Sequence, residues 1–353
     1  MPATKNQTDI LERTRKLMTQ LPELCFDFFL DMEPRTSPLT RMNYAYDLRT
    51  FFTYLHEHIY GFDMPIPSYT IEQIGRIQAR HLNLYMEYLN QYSVNGEIRQ
   101  NGNSGKKRKI MAIKSFFRFL YRNGYTQANV SELITSPKIQ EKPIIRLEEN
   151  EMQDLLEIVE DVEHQPAFTK RQIQYQEHTK VRDNAIISLL LGTGMRVSEC
   201  TGIDLDDIDW QNQRIRILRK GGNEEILYYS HDVSAVLLEY AAQRNEISPM
   251  PGHEKAFFLS LQNKRISNRS VELLVKKYAS AAVPVKKITP HKLRSTYGTR
   301  LYQKTGDIYL VADVLGHKDV NITKRYYAAM SDEKRRMAAE LSQLHPDKDS
   351  EKN

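Results

Sequence analysis

The sequence predicts a mainly α protein of two domains, the first an all-helical bundle and the second mainly helical with a small antiparallel sheet. Three observations predict it. Apolar residues in the first third recur at helical spacing. The stretch SPKIQEKPIIRL, residues 136–147, carries two prolines, several charges and no period. In the second half, two short apolar-alternating segments flank KGGN.

In order along the chain, residues 1–20 are expected as an N-terminal extension and 21–135 as the bundle. Tyr44, Leu48, Phe51, Phe52 and Leu55 share one helical face, as do Leu82, Tyr85, Met86 and Leu89, and again Ile110, Ile113, Phe116, Phe117 and Leu120. The connections MEPRTSP, DMPIPS and NGNSG hold the Pro and Gly. Residues 136–147 read as a linker. EENEMQDLLEIVE resumes helix, and the polar stretch 161–180 reads as a loop or exposed extension. VRDNAIISLLLGTG reads as a buried helix closed by glycine. RIRIL and EEILYY around KGGN read as a β-hairpin. The rest is helical to about residue 345, and PDKDSEKN (346–353) reads as a disordered tail.

Composition narrows the function classes. The chain has 353 residues, 40% of them hydrophobic, enough to fill a core in each domain. Lys and Arg number 50 against 45 Asp and Glu, a net charge of +5 that permits nucleic-acid binding without demanding it. Two widely separated cysteines, Cys25 and Cys200, make neither a zinc site nor a disulfide framework, which fits a reducing cytoplasm. The N-terminus MPATKNQTDI lacks a signal peptide's apolar stretch, and the apolar run IISLLL is too short to span a bilayer, so no membrane partner is expected.

Five stretches carry candidate chemistry. Lys106, Lys107, Arg108 and Lys109 open a helix and could hold DNA phosphates; the plain alternative is a solvated helix start. In GTGMRVSE, Arg196 and Glu199 lie three apart on one face, which alone would be an ordinary ion pair. In LRKGGNEE, Lys220 projects from the hairpin turn, which alone would be a surface lysine. In TPHKLRST, Thr289 is a candidate N-cap, Pro290 the first helical residue, and His291 and Arg294 share the first turn, where an anion is favoured. In LGHKDVNITKRYYAAM, His317 precedes Tyr326 by nine residues, about 900° of helix, so the two converge only if the chain breaks between them. KDVNIT is poor helix sequence, and Asn321 can cap a new helix carrying KRYYAAM. Alone, both tyrosines would be core aromatics.

Taken together, two arginines, two histidines, a lysine and a tyrosine suit metal-free transfer at a phosphodiester. Nothing in the set resembles a magnesium or zinc site. Two guanidiniums bind the phosphate and stabilise a pentacoordinate transition state. A tyrosine, with an unperturbed pKa of about 10, needs a base or positive field to attack phosphorus. A lysine or histidine protonates the leaving oxygen.

The ordered pattern R-x-x-E…K-G…H-x-x-R…L-G-H…Y resembles the tyrosine recombinases over almost the whole chain. The length, RKGG and HKLRSTYGTRLY most resemble Xer recombinases, in particular the single-protein XerS type. The resemblance implies that residues 21–135 are a core-binding (SAM-like) domain and 148–345 a mixed α/β catalytic domain. It implies that Tyr326, and not Tyr327, is the nucleophile. Arg196 and Arg294 would clamp the scissile phosphate, His317 would donate a hydrogen bond to it, and His291 would serve as general base or acid. Lys220 would protonate the 5′ oxygen, and Glu199 would orient its neighbours. It further implies a 3′-phosphotyrosyl link, no cofactor and no ATP. It implies a homotetramer on two double-stranded DNA sites, strand exchange through a Holliday junction, and docking of residues 331–344 on a neighbouring protomer, packing of that amphipathic segment on its own domain being the plain alternative. A DNA translocase or accessory protein would be a further partner.

Two features depart from the family's pattern. Glu224 and Glu225 stand where a basic residue often follows the lysine–glycine turn, weakening phosphate attraction there, and the stretch 161–180 is longer than in many relatives. Chromosome dimer resolution and mobile-element integration both fit. A type IB topoisomerase shares much of the chemistry, and a catalytically silent DNA-binding protein on the same scaffold is the alternative from another class.

Overall fold

The computed structural model describes residues 5–61, 64–94, 96–139, 144–161, 168–219, 222–317 and residue 320. Two compact units divide the chain, Met1–Lys142 and Pro143–Asn353, and the division falls inside the proline-bearing stretch 136–147. Lys220, Tyr326, Tyr327, the expected helix after Asn321, the segment 331–344 and the tail lie outside the described residues.

The first unit is built from helices α1 (Lys5–Met18), α2 (Leu24–Met32), α3 (Pro38–Leu55), α4 (Ile71–Gly75), α5 (Ala79–Tyr88) and α6 (Asn103–Arg122). Helix α3 starts where it does because Pro38 presets the first helical φ and the Ser37 hydroxyl accepts the Thr40 N–H at 3.2 Å. Its Leu48, Phe51, Phe52 and Leu55 are buried with Leu82, Tyr85 and Leu89 and with Ile110, Ile113, Phe116, Phe117 and Leu120. The aromatic rings meet edge-on, Phe51 with Tyr85 at 5.1 Å and Phe28 of α2 with Phe116 at 5.4 Å. Each such phenylalanine contributes about 1.5–3 kcal/mol by leaving water.

Two expectations for this unit are corrected. Of residues 1–20, the described 5–20 are not a separate extension: α1 packs along α3, and Leu17 lies in the same core. Nor is the unit all helical. Strands β1 (Tyr92–Val94) and β2 (Glu97–Arg99) form an antiparallel hairpin, Val94 opposite Glu97. The signal was present as Asn95–Gly96 between YSV and EIR, the pairing that a tight hairpin turn prefers, with Gly96 at φ 79°.

The second unit holds α7 (Glu149–Glu160), α8 (Lys170–Glu177), α9 (Lys180–Thr193), α10 (Val197–Gly202), β3 (Ile208–Asp209), β4 (Arg214–Leu218), β5 (Glu224–Tyr228), α11 (His231–Asn245), α12 (Asn268–Ala282), α13 (Pro290–Thr305) and α14 (Ile308–Val314). Helix α9 is buried on nearly every side and is accordingly the central element, packed by α7, α11 and α13. Gly192 lets α11 approach, since a Cβ there would stand 2.5 Å from the Val233 side chain. Gly194, at φ 63°, ends the helix in the left-handed conformation. The sheet runs β3-β4-β5, all antiparallel, and alternation along β4 turns Ile215 and Ile217 into the core.

The stretch 161–180 is corrected in part. Within it α8 forms, and Gln176 and Thr179 are buried rather than solvated. Gln176 Nε2 donates to the Val159 carbonyl at 3.1 Å. Thr179 Oγ1 donates to Asp183, which also accepts from Tyr278 Oη at 2.9 Å and from Arg182 at 2.7 Å. A buried carboxylate so fully bonded fixes α9 against α12.

Candidate active site

Four of the six residues expected to do chemistry lie among the described residues, and the fold brings them to one turn. That turn is 314–316, at the C-terminal end of α14. Gly316 is there at φ 58°, and the His317 N–H donates to the Ala312 carbonyl at 2.9 Å.

Arg196 occupies the N-cap position of α10. Glu199 accepts its backbone N–H through Oε2 at 2.7 Å and its Nη1 through Oε1 at 2.7 Å. The carboxylate thus satisfies a helix-end donor and holds the guanidinium at once. The same guanidinium reaches the Gly316 carbonyl through Nη2 at 3.4 Å. Arg294 is buried in the first turns of α13. Its Nη1 donates to the Gly194 carbonyl at 2.7 Å and its Nη2 to the Leu315 carbonyl. Gly194 is doubly constrained, because a Cβ would lie 2.4 Å from the Tyr297 ring. At the start of α13, Pro290 fills the first position, but the Thr289 side chain makes no capping hydrogen bond; only its carbonyl receives the N–H groups of Lys292 and Leu293.

The electrostatics follow from crowding cations. His317 is half-buried; burial first, then Arg294, Arg196, Arg219 and His291, push its pKa down to about 4. His291 sits at the exposed rim. Partial burial and then Lys292, Arg294 and Arg196 lower its pKa. Near neutral pH both rings are therefore uncharged, His291 able to take a proton and His317 able to donate one hydrogen bond. The site is an electropositive pocket suited to an anion.

Sequence reasoning missed Arg219. It is buried beside this turn, donating to the carbonyls of Leu315 at 3.1 Å and Val314 at 3.0 Å and to both carboxylate oxygens of Glu225 at 2.7 Å. Glu225 is thereby paired, not left facing a phosphate. A lone arginine before a lysine–glycine turn reads only as surface charge, so the sequence held no signal for it.

The basic cluster of the first unit separates by residue. Lys109 is buried, its Nζ 3.2 Å from Asp47 Oδ1 and 3.4 Å from Thr50 Oγ1. Arg108 bonds the other oxygen of Asp47 and Lys106 bonds Asn90, while Lys107 is exposed. The expectation of four phosphate-facing cations is corrected for Lys109, which is taken up by the bundle's interior.

Two guanidiniums and two neutral imidazoles thus gather at one turn, an arrangement whose charge suits an anion. The chain belongs to the phage integrase family, whose model matches residues 146–333, and is an Xer-like tyrosine recombinase. Tyrosine recombinase XerC of Caldanaerobacter subterraneus is 32% identical over 309 residues, covering 85% of this chain and 80% of that protein. Tyrosine recombinase XerS of Streptococcus agalactiae is 28% identical, covering 92% of this chain and 97% of that protein. Among solved structures, XerH site-specific recombinase bound to palindromic difH substrate, a post-cleavage complex, matches with a TM-score of 0.63 at 18% identity. That match covers 94% of this chain and 95% of that one, a likeness of fold. None of the described helices is long and apolar enough to cross a membrane.

Proposed function

We propose that the chain cuts and rejoins DNA at specific sites through a 3′-phosphotyrosine on Tyr326, with neither metal nor ATP, and that it resolves chromosome dimers in the cytoplasm as an Xer-type homotetramer. The observation that carries this reading is the gathering of Arg196, Arg294, His291 and His317 around the turn 314–316.

Arg196 and Arg294 hold the non-bridging oxygens of the scissile phosphate and stabilise the charge that builds there. His317 adds a hydrogen bond. His291, kept neutral by burial and then by its cationic neighbours, accepts the Tyr326 proton. The tyrosine oxygen bonds to phosphorus, the bond from phosphorus to the 5′ oxygen breaks, and Lys220 delivers a proton to that oxygen. Bond energy stays in the phosphotyrosyl link, so the reverse attack by a 5′ hydroxyl rejoins the strand. The unit Met1–Lys142 acts as the core-binding domain, with Lys107 and Lys106 toward phosphates.

Covalent capture tests this. The protein is mixed with nicked, fragmented DNA of its source genome and denatured, and the attached DNA is sequenced, with Tyr326→Phe alongside. A Tyr326-dependent adduct at one locus near the replication terminus is expected. Attachment at the ends of a mobile element would make the protein an integrase instead. DNA binding with no adduct would leave the silent DNA-binding reading.

A further inference from the structure

We propose that Arg219 is a positioning residue for His317, clamping the turn 314–316 to the β4–β5 hairpin and to Glu199 so that the imidazole is fixed at the phosphate. The inference rests on the recombinase reading and concerns a buried residue whose guanidinium faces partners within the protein.

The donors of Arg219 turn inward, four of the five guanidinium N–H groups to acceptors of this chain. Nε donates to Glu225 Oε2 at 2.7 Å. Nη2 divides its hydrogens between Glu225 Oε1 at 2.7 Å and the Val314 carbonyl at 3.0 Å. Nη1 faces the Leu315 carbonyl at 3.1 Å and Glu199 Oε1 at 3.5 Å. A guanidinium carries five N–H groups; four donate to these acceptors and the fifth lies at ion-pair distance from Glu199, which leaves little for a phosphate oxygen. Two carboxylates around one buried cation also leave little net attraction for an anion.

Backbone hydrogen bonds tie Arg219 to Gly222 and Asn223 at the hairpin end. The Arg219 N–H donates to the Asn223 carbonyl at 2.8 Å, and the Gly222 N–H returns to the Arg219 carbonyl at 3.0 Å. On the other side the guanidinium packs onto Gly316, where an added Cβ would stand 2.6 Å from Arg219 Cζ. His317 is the next residue. Three segments far apart in sequence, the Arg196–Glu199 cap, the hairpin and the turn, thus meet on one planar group. Lysine keeps the charge but not the fork, and cannot bridge two carbonyls and two carboxylates.

The test uses single-turnover adduct formation on the nicked duplex recovered by capture. Arg219→Lys is expected to slow it by about tenfold to a hundredfold, the range for a lost positioning contact, with DNA affinity and thermal unfolding close to wild type. If Arg219 acts through His317, the double variant Arg219→Lys, His317→Ala is no slower than His317→Ala alone. Glu225→Gln, which loosens the fork and leaves Arg219 in place, should show a smaller loss that also vanishes on His317→Ala. Multiplying losses in the double variant would overturn the proposal. So would recovery of Arg219→Lys on a substrate whose 5′ bridging oxygen is sulfur. That leaving group needs no proton, and the defect would then lie in proton delivery by Lys220. A wild-type protein that forms no adduct would sink the recombinase reading, and this inference with it.

Discussion

Glu199 binds Arg196 twice, once at the backbone N–H and once at the guanidinium, both at 2.7 Å, and its side chain is buried. The pair resembles an ordinary i,i+3 salt bridge in sequence, yet surface pairs of that spacing contribute little. Here the carboxylate also stands between Arg196 and Arg219. Glu199→Gln keeps its size and removes its charge. Adduct formation should fall by about tenfold to a hundredfold, as expected for a hydrogen bond to a charged group. DNA affinity should hold or tighten, since the pocket becomes more positive. Binding isotherms set beside single-turnover rates separate the two effects, and a parallel loss in both would mean that Glu199 supports only the fold.

Gly316→Ala should damage the site more than the fold. The residue needs φ 58°, and its new Cβ would collide with the Arg219 guanidinium. The strain costs about 1–3 kcal/mol, and any relief must move Arg219 off the carbonyls of Val314 and Leu315. Gly192→Ala is the control. It overpacks Val233 in the α9–α11 contact at a similar cost of about 1–3 kcal/mol, without touching the turn. Thermal melts should drop for both variants, whereas cleavage per folded molecule should drop only for Gly316→Ala.

What the sequence shows and hides follows from the range of the interactions. Phe51, Phe52 and Leu55 reveal themselves because a helix repeats its buried face every few residues. The R-x-x-E and H-x-x-R spacings are equally local, so the arginines and His291 could be read. That Arg294 and Arg196 would both reach Leu315–Gly316 could not, since those contacts span 21 and 120 positions. Arg219 meets the turn across 95 or 96 positions and has no local signature. Lys109 was within reach, for it stands four before Ile113 and seven before Phe116, on the face that the apolar pattern buries. In the run of four cations the helical period, and not the charge, decides which one is buried.

Lys107 and Lys109 should part company on mutation. Lys107→Ala removes an exposed cation, so DNA affinity falls and the slope of log affinity against log salt shrinks by about one, with stability unchanged. Lys109→Ala leaves the fully buried side chain of Asp47 with only Arg108, itself half open to water. Breaking a buried pair in this way costs about 3–5 kcal/mol, read as a lower midpoint in urea, while the salt slope of the surviving folded protein stays as it was.

DNA binding should take up protons. In the free protein His317 titrates at about 4, held there by burial and by Arg294, Arg196, Arg219 and His291, and the His291 pKa is lowered as well. Without DNA, a histidine whose folded pKa lies below its unfolded value of about 6.5 lends stability above that pH. The contribution is lost as pH falls from about 6.5 toward 4, because the unfolded chain binds the proton first. A phosphate in the pocket reverses the local field: its negative charge offsets the arginines and raises both histidine pKa values. The complex then holds more protons than the free protein between the two sets of values, so affinity rises as pH falls below 7. Titration calorimetry in buffers of different ionisation enthalpy would count the protons, and His317→Asn should remove part of that uptake. A pH-independent affinity between about 7 and 5, or unchanged uptake in His317→Asn, would place the phosphate away from this turn.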